Sequence, residues 1–309
     1  MIASEMMKKL ISNKNSRGLI VLLMLFVLIF TMTACGNKNE AGEDALGGTG
    51  DAAMDEVLLK AVENLKDVSS LSYDMEMDMS MEVMGAAFDT LMSMDCKQIM
   101  SPVKMEILGT ADMGTMGKMD MMVYAEEENG DLTMYTGMVD EAQGTSWLKQ
   151  SVEVNSQQIA QYDAANSIEL YASSASSIKE VGTEDVDGVK ATRFDGIISG
   201  DDIGKVVEQS GVESQVGIDG TAELFKDSGN IPFSFWVDVE KEQIIKYEID
   251  MTEVLKVALE RAVENEEEGM AGMIGIKKMS TSVKVKGVND VEDIVIPEEA
   301  KANATEITG

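Results

Sequence analysis

The segment that decides the fold is Leu71-Ser-Tyr-Asp-Met-Glu-Met-Asp-Met-Ser-Met-Glu-Val83. Apolar side chains occupy its odd-numbered positions, and polar or charged side chains occupy its even-numbered positions. Because successive side chains of a β-strand point to opposite faces of a sheet, this alternation predicts a long strand with one buried face and one exposed face. Antiparallel sheets commonly expose one face to water. The segment therefore predicts an antiparallel sheet built around residues 71–83.

Further strand-like runs follow this segment and are separated by turns. Asn129-Gly130-Asp131 and Asp187-Gly188 suit the positive φ angles of tight hairpins, so most neighbouring strands are expected to pair antiparallel. The later runs predicted as strands are Cys96–Met100, Val103–Leu108, Lys118–Ala125, Leu132–Thr136, Trp147–Val154, Ile178–Val181, Val189–Ile198, Gly220–Phe225, Pro232–Val239, Gln243–Asp250 and Met279–Lys286.

Other segments have the periodicity of helices. Leu58, Val62 and Leu65 recur at the spacing of one helix face, which predicts a helix over about 54–68. The remaining predicted helices are 155–173, 199–211 and one that begins at Thr252. The mixture of one large sheet with a few helices predicts an α+β fold.

The N-terminal region has the layout of a secretory signal. Basic residues between positions 8 and 17 precede an unbroken apolar run from Leu19 to Phe30, and small residues follow it. A helix over this run would be about 18 Å long, whereas the hydrocarbon core of a bilayer is about 30 Å thick. We therefore expect residues 1–34 to be a signal peptide and not a permanent membrane span.

Met32-Thr33-Ala34-Cys35 resembles a lipobox, the motif whose cysteine receives a lipid before the signal is cut. The resemblance implies that lipid on Cys35 anchors the chain at the outer face of the bacterial cell membrane. Each buried methylene contributes about 0.8 kcal/mol, so two or more acyl chains hold a protein stably. The alternative is an ordinary signal peptide that contains a cysteine by chance. Residues 35–53 have little apolar surface and are predicted to form the lipidated start and a flexible tether.

The composition excludes several classes of function. The formal net charge of −31 repels nucleic acid and anionic lipid headgroups, so neither is an expected electrostatic partner. The chain has no histidine, which removes His-based catalysis and most zinc sites. We predict a protein that is not an enzyme and has no metal or cofactor. Cys96 is expected to be a small core residue and not a reactive thiol.

Methionine is the most unusual feature of the composition, with 26 in the chain. Methionine is flexible and polarizable, so a surface lined with it adapts to irregular apolar shapes. One interpretation is that the methionine stripe of residues 71–83 is ordinary core beneath a sheet. The other is that it lines a cavity for an acyl chain or another apolar ligand. The residues predicted to line such a cavity are Tyr73, Met75, Met77, Met79 and Met81.

Several short motifs occur in an order that resembles the LppX/LprG-type and LolA-like bacterial lipoproteins. They are the lipobox, the helix that runs through a Ser-rich turn into the first strand (58–73), Val181-Gly-Thr-Glu-Asp-Val-Asp-Gly188, the hairpin from Phe235 to Asp250, and Val291–Ala300. The last of these also resembles the end of uncharacterised lipoproteins from Gram-positive anaerobes. The resemblance implies a strongly curved antiparallel half-barrel of about eleven strands, with helices on its concave side and lipid held between helices and sheet.

These observations predict a single domain over residues 54–300, followed by a C-terminal tail of residues 301–309. The expected function is the binding or carrying of a lipid or other apolar ligand at the cell envelope, and no protein partner is identified. The alternative is a structural or regulatory module with a solid core, whose acidic face docks a partner. An enzyme would need a cluster of acids in a cleft, and the sequence concentrates its acids nowhere in particular.

Overall fold

The computed structural model describes residues 52–83, 85–114, 117–128, 130–140, 144–153, 174–199, 224–264 and 274–306. Its strands in chain order are β1 (Ser70–Val83), β2 (Ala86–Met100), β3 (Val103–Asp112), β4 (Lys118–Glu128), β5 (Asp131–Asp140), β6 (Gly144–Glu153), β7 (Ala175–Val186), β8 (Val189–Ile198), β9 (Ile231–Asp238), β10 (Gln243–Asp250), β11 (Ile274–Val288) and β12 (Thr305–Glu306). The α-helices that lie wholly within these residues are α1 (Ala52–Glu63), α2 (Thr252–Glu264) and α3 (Glu298–Asn303).

The twelve strands form one sheet in the spatial order β12-β6-β5-β4-β3-β2-β1-β11-β10-β9-β8-β7. Neighbouring strands pair antiparallel, except that β12 runs parallel to β6. The sheet stays open because β12 and β7, at its two ends, do not pair with each other. The predicted α+β fold with a strongly curved antiparallel half-barrel is confirmed, with twelve strands where about eleven were expected.

The alternating segment lies at the centre of the sheet, between β11 and β2. The odd-numbered side chains of β1 define what we call the inner face, and the even-numbered side chains define the outer face. Leu71, Tyr73, Met75 and Met77 on the inner face are all buried. The predicted buried face of this strand is therefore confirmed from Leu71 to Met77, whereas Met79, Met81 and Val83 are only half-buried.

Helices α1 and α2 both cover the inner face. Leu58 and Val62 of α1 belong to the same apolar cluster as Val254 and Leu255 of α2, and Met77 of β1 lies in that cluster as well. The stripe predicted for α1 thus packs against the sheet, and α1 ends in a short 3-10 helix, Asn64–Asp67.

The start of α2 is tied to the sheet by hydrogen bonds. The backbone N–H of Thr252 donates to the Asp250 carboxylate (2.9 Å), which satisfies a free helix N-terminal donor. The Thr252 hydroxyl accepts from the backbone N–H of Met279 on β11 (2.9 Å). These bonds place α2 along β11, on the inner face.

The C-terminal segment crosses the outer face. Ile294, Ile296 and Ala300 are buried in a cluster with the aromatic rings of β4, β5 and β6, namely Tyr124, Tyr135 and Trp147. Trp147 lies directly on Gly137, where a Cβ atom would come within 2.8 Å of the indole ring. Beyond α3, the two residues of β12 pair with Leu148 and Lys149. Residues 301–306, predicted as part of a tail, thus contain the end of α3 and a strand of the sheet.

Several predicted elements differ from the observed ones. Strand β2 is much longer than the predicted 96–100, and Leu224 and Phe225 are helical, so the predicted strand Gly220–Phe225 is wrong at its end. The remainder of that run lies outside the described residues. The predicted helix 155–173 and the predicted helix at 199–211, apart from Ser199, also lie outside them, as do the signal peptide and Cys35.

Candidate ligand-binding face

Methionine side chains cover the inner face across six adjacent strands, from β11 through β1 to β5. The pairing register places them on this face together with the odd positions of β1. They are Met75, Met77, Met79, Met81, Met92, Met94, Met100, Met105, Met119, Met121, Met134, Met138 and Met279. Such a surface is polarizable and can repack around an apolar ligand.

The five residues predicted as ligand-lining candidates all lie on this face. Tyr73, Met75 and Met77 are buried, whereas Met79 and Met81 are only partly buried. Tyr73 and Met75 belong to an apolar cluster of β1 to β5, while Met77 belongs to the cluster beneath α1 and α2. The stripe therefore joins the two clusters, and its role in holding a ligand stays a prediction.

Sequence reasoning did not assign the methionines of the neighbouring strands to this site. Met75 pairs with Met94, and Met94 pairs with Gly109 of β3. Gly109 pairs in turn with Met121 of β4, so one row crosses four strands. Each of these strands has some alternation of its own, but alternation does not reveal which residues lie side by side. That information comes from the register.

Burial on the inner face decreases along β1, β2 and β4. The inner-face residues are buried near one end of each of these strands, where Tyr73 of β1, Cys96 of β2 and Ala125 of β4 lie. Toward the opposite ends, residues such as Met81 and Met119 are half-buried. We call this second region of β1, β2 and β11 the exposed end of the inner face; its members include Met81, Phe88 and Ile274. Met138 of β5 is 39% exposed.

Cys96 lies within the buried part of the inner face and pairs with Tyr73. Burial raises the pKa of its thiol to about 12, because removal from water penalises the thiolate. The thiol is therefore protonated at neutral pH and a poor nucleophile. The predicted role of Cys96 as a core residue agrees with its 2% exposure.

The outer face carries two open grooves near its centre. One has a volume of about 710 Å³ and is lined by acids of β1 and of the β7–β8 hairpin, including Asp74, Glu76, Glu184 and Asp187. The other has a volume of about 500 Å³ and shares Glu76 with the first. Each groove also contains an exposed leucine, Leu108 and Leu91 respectively.

Trp236 of β9 forms part of the first groove and lies between two cations. Its direct neighbours across the strands are Arg193 on β8 and Lys246 on β10. The Arg193 Cζ atom is 5.1 Å from the ring centre and the Lys246 Nζ atom is 4.2 Å from it, which are cation–π distances. The Trp236 indole N–H donates to Glu184 (2.7 Å), and this bond holds the pKa of Glu184 below its usual range.

Two further properties of the described residues bear on function. Among them, no group of three or more Asp, Glu or Cys side chains is arranged to hold a metal ion. Nor does any helix within the described ranges combine the length and the apolar character that crossing a membrane requires.

Comparison with protein families gives one match. The model of a family of unknown function, DUF6612, matches residues 53–305. The chain belongs to this family. The match spans strands β1 to β11 of this DUF6612 protein and ends at Thr305, the first residue of β12. No curated protein matches it.

Among solved structures, the DUF6612 chain is similar to LprF from Mycobacterium bovis, with 12% identity and a TM-score of 0.43 over 81% of this chain and 99% of LprF. It is also similar to the lipoprotein LppX from Mycobacterium tuberculosis, with 11% identity and a TM-score of 0.38 over 79% of this chain and 100% of LppX. A DUF1329 protein from Desulfovibrio piger gives 9% identity and a TM-score of 0.23 over 77% of this chain and 92% of that protein. LppX/LprG-type lipoproteins, which the sequence motifs resemble, are thus among the similar structures. The resemblance to proteins of Gram-positive anaerobes stays a prediction.

Proposed function

We propose that this protein is a lipid-anchored, extracytoplasmic carrier that binds a lipid or another apolar ligand against its methionine-lined inner face. The observation that carries the proposal is the row-by-row alignment of methionines across six strands of one sheet face. A core that only needs to be solid is built more uniquely from Leu, Ile, Val and Phe, whose rotamers are better defined. Methionine favours a surface that must accept more than one apolar shape.

The proposed anchor is the lipid on Cys35, at the end of a signal peptide formed by residues 1–34. The sequence from 35 to 51, which precedes α1, would then be a flexible tether that holds the sheet roughly 20–25 Å from the membrane surface. Labelling of growing cells with a tagged fatty acid tests the anchor directly. The wild-type chain is expected to carry the label, and Cys35→Ala is expected to lose it and to leave the membrane fraction.

The carrier function is tested by extracting non-covalent lipid from protein purified from its own membrane. We expect the wild-type protein to release a bound lipid, which native mass spectrometry detects as a mass above that of the anchored chain. Met92→Asp places a charge on the inner face and is expected to abolish this species. Ser93→Asp places the same charge one residue later, on the exposed outer face, and serves as the matched control. Protein that carries no lipid in any of the three forms contradicts the proposal.

The grooves of the outer face favour a second candidate function, which is docking of a partner protein by a structural or regulatory module. Acids dominate these grooves, and Leu91 and Leu108 are each at least 40% exposed there. A partner with basic and apolar side chains would complement such a surface. A photo-crosslinking residue at position 108 tests this in the envelope. Val295, which is 75% exposed on the C-terminal segment, is the control position.

A further inference from the structure

Two small residues of β3 are surrounded by methionine side chains on the inner face. Gly109 and Ala111 each pair with a methionine on β2 and with another on β4. These four methionines, which we call the thioether quartet, are Met92, Met94, Met119 and Met121. Four sulfur-containing side chains therefore flank a piece of strand that has almost no side-chain volume of its own.

Two members of the thioether quartet converge over Gly109. Strands β2 and β4 are two strand spacings apart, or roughly 9.5 Å. The Met94 Cγ atom nevertheless lies 2.9 Å, and the Met121 Cγ atom 3.3 Å, from the position that a Cβ atom of residue 109 would take. Both side chains therefore lean toward the glycine from opposite sides. Because each sulfur atom is one bond beyond its Cγ atom, both can reach a single ion above Gly109.

Thioether sulfur is a soft ligand, and its chemistry selects the kind of ion. Thioethers bind Cu(I), whereas carboxylates and carbonyls suit Mg²⁺, Ca²⁺ and Mn²⁺. A thioether also has no proton that metal binding would have to displace. The prediction of no metal rests on the missing histidines, which are the commonest metal ligands. That reasoning does not apply to an ion held by thioethers.

The thioether quartet lies where the buried part of the inner face ends. Met94 is buried in the apolar cluster of β1 to β5, and Met92 and Met121 pack against that cluster. Met119 is half-buried. An ion can therefore reach the sulfur atoms from the half-buried side, while the buried side keeps water away. The net charge of −31 attracts cations to the protein as a whole.

We propose that the thioether quartet binds a soft monovalent metal ion, Cu(I), above Gly109. Met94 and Met121 supply two sulfur ligands from opposite sides, and Met92 and Met119 supply further sulfur ligands from the adjacent row. Binding involves no electron transfer. The site is independent of the proposed carrier function, because leucine at these positions would keep the face apolar and would remove only the sulfur.

The first test uses Ag⁺ as a probe, because it shares the charge and softness of Cu(I) and is stable in air. It is titrated into the full chain in detergent, with ¹³C in the methionine methyl groups. Cys35→Ser and Cys96→Ala remove both thiols of the sequence, and excess Mg²⁺ occupies the carboxylates. We expect the methyl signals of the thioether quartet to shift together and to saturate at one ion per chain. Shifts confined to other methionines, shifts that spread over all of them without saturating, or no shifts at all would overturn the proposal.

The second test compares two adjacent methionines of β4 that lie on opposite faces. Met121 belongs to the thioether quartet, whereas Met122 pairs with Leu108 and Gly137 on the outer face, and both are half-buried. Replacement by leucine removes one sulfur atom in each case and nearly conserves the volume. Met121→Leu is expected to weaken Ag⁺ binding about tenfold or more, and Met122→Leu is expected to leave it unchanged.

Met94→Leu is a second variant of the site and is expected to behave like Met121→Leu. Each variant is compared at a wild-type circular dichroism spectrum. Wild-type affinity for Ag⁺ in both Met94→Leu and Met121→Leu would contradict the site. The lipid released by Met121→Leu is expected to equal that of the wild-type protein, so the metal site and the carrier function can fail separately.

Discussion

Gly109 lies directly opposite Met94 in the β2–β3 pair, and a Cβ atom at position 109 would come within 2.9 Å of the Met94 Cγ atom. The same Cβ would lie 3.3 Å from the Met121 Cγ atom on the other side. The glycine thus leaves the space in which two methionines of the inner face meet. Packing and not backbone conformation requires a glycine here, because the φ angle of Gly109 is not positive.

Substitution of Gly109 is therefore expected to disturb the inner face. Gly109→Ala should lower the free energy of unfolding by about 1–3 kcal/mol, because overpacking of a filled site has this cost. Gly275→Ala is the matched control in another long strand, where a Cβ atom meets nothing within 4 Å. Chemical denaturation of both variants measures the difference, and an equal effect at the two positions would contradict the packing argument.

The partly exposed methionines are expected to oxidise before the buried ones. Met138 is 39% exposed, whereas Met77 has 0% exposure. Mild peroxide should convert Met138 to the sulfoxide first and Met77 only on unfolding, because access decides the rate. Peptide mass spectrometry measures the order of oxidation. Bound lipid is expected to slow the reaction at Met81, and faster oxidation of Met77 than of Met138 would contradict the burial gradient.

Cys96 is expected to resist thiol reagents in the folded protein. Its thiol is buried, and its pKa of about 12 leaves almost no thiolate at pH 8. Ellman's reagent should react with it only in denaturant, when residues 35–309 carry Cys35→Ser. Rapid reaction of the native protein would show that the β1–β2 region opens readily.

The raised pKa of Cys96 also has a consequence for stability. The folded state keeps the thiol proton to higher pH than the unfolded chain, whose thiol has an ordinary pKa of about 8.5. Stability should therefore fall as pH rises from about 9 toward 12, since the unfolded state then binds fewer protons than the folded state. Cys96→Ala removes this contribution, and thermal unfolding of the two proteins across that pH range measures it.

Glu184 is expected to stabilise the fold at neutral pH through its hydrogen bond from Trp236. The bond lowers the pKa of Glu184, so its contribution is present above the unfolded pKa of about 4.3 and is lost as pH falls through the lower folded value. Glu184→Gln should therefore lower the Tm at pH 7, and the difference should shrink below about pH 4. Glu180→Gln is the control, because Glu180 is exposed on the same strand. If Glu184→Gln lowered the Tm equally at pH 7 and below pH 4, the proposed coupling between the Glu184 pKa and stability would be wrong.

The C-terminal segment is expected to stabilise the fold through its buried residues, which alternate with exposed ones. Ile296 is 5% exposed in the cluster with Trp147, whereas the preceding Val295 is 75% exposed. Ile296→Ala should cost about 2–5 kcal/mol, because it removes buried methyl groups from a packed site. Val295→Ala should change the free energy of unfolding by less than about 0.5 kcal/mol. Similar costs at both positions, measured by urea unfolding, would mean that the segment does not pack as described.

The sequence alone was sufficient for β1, α1 and α2. Their apolar residues recur with the period of the element itself, so a short window contains the whole pattern. Strand β2 was predicted only from Cys96 onward, although it begins at Ala86. In its first half Thr90 lies on the inner face and Leu91 on the outer face, which breaks the apolar and polar alternation. Hydrogen bonds to β1 and β3 on either side impose the strand there in spite of the pattern.

The candidate site was predictable in part. The alternation of residues 71–83 places Tyr73, Met75, Met77, Met79 and Met81 on one face, and the structure agrees. It did not indicate that Met81 is more exposed than Met77. Nor did it show the cation–π contacts of Trp236, because their partners Arg193 and Lys246 come from different strands.

By itself the sequence determined the periods of β1, α1 and α2, the division of β1 into two faces, the strongly negative charge and the absence of histidine. These are properties of single residues and of short windows, which need no distant partner. Only the tertiary structure decided that Met75, Met94, Gly109 and Met121 form one row, and that the grooves lie on the opposite face. The physical reason is that the pairing register depends on many contacts between segments that are distant in sequence. The sequence of one strand does not specify which residues of another strand it will face.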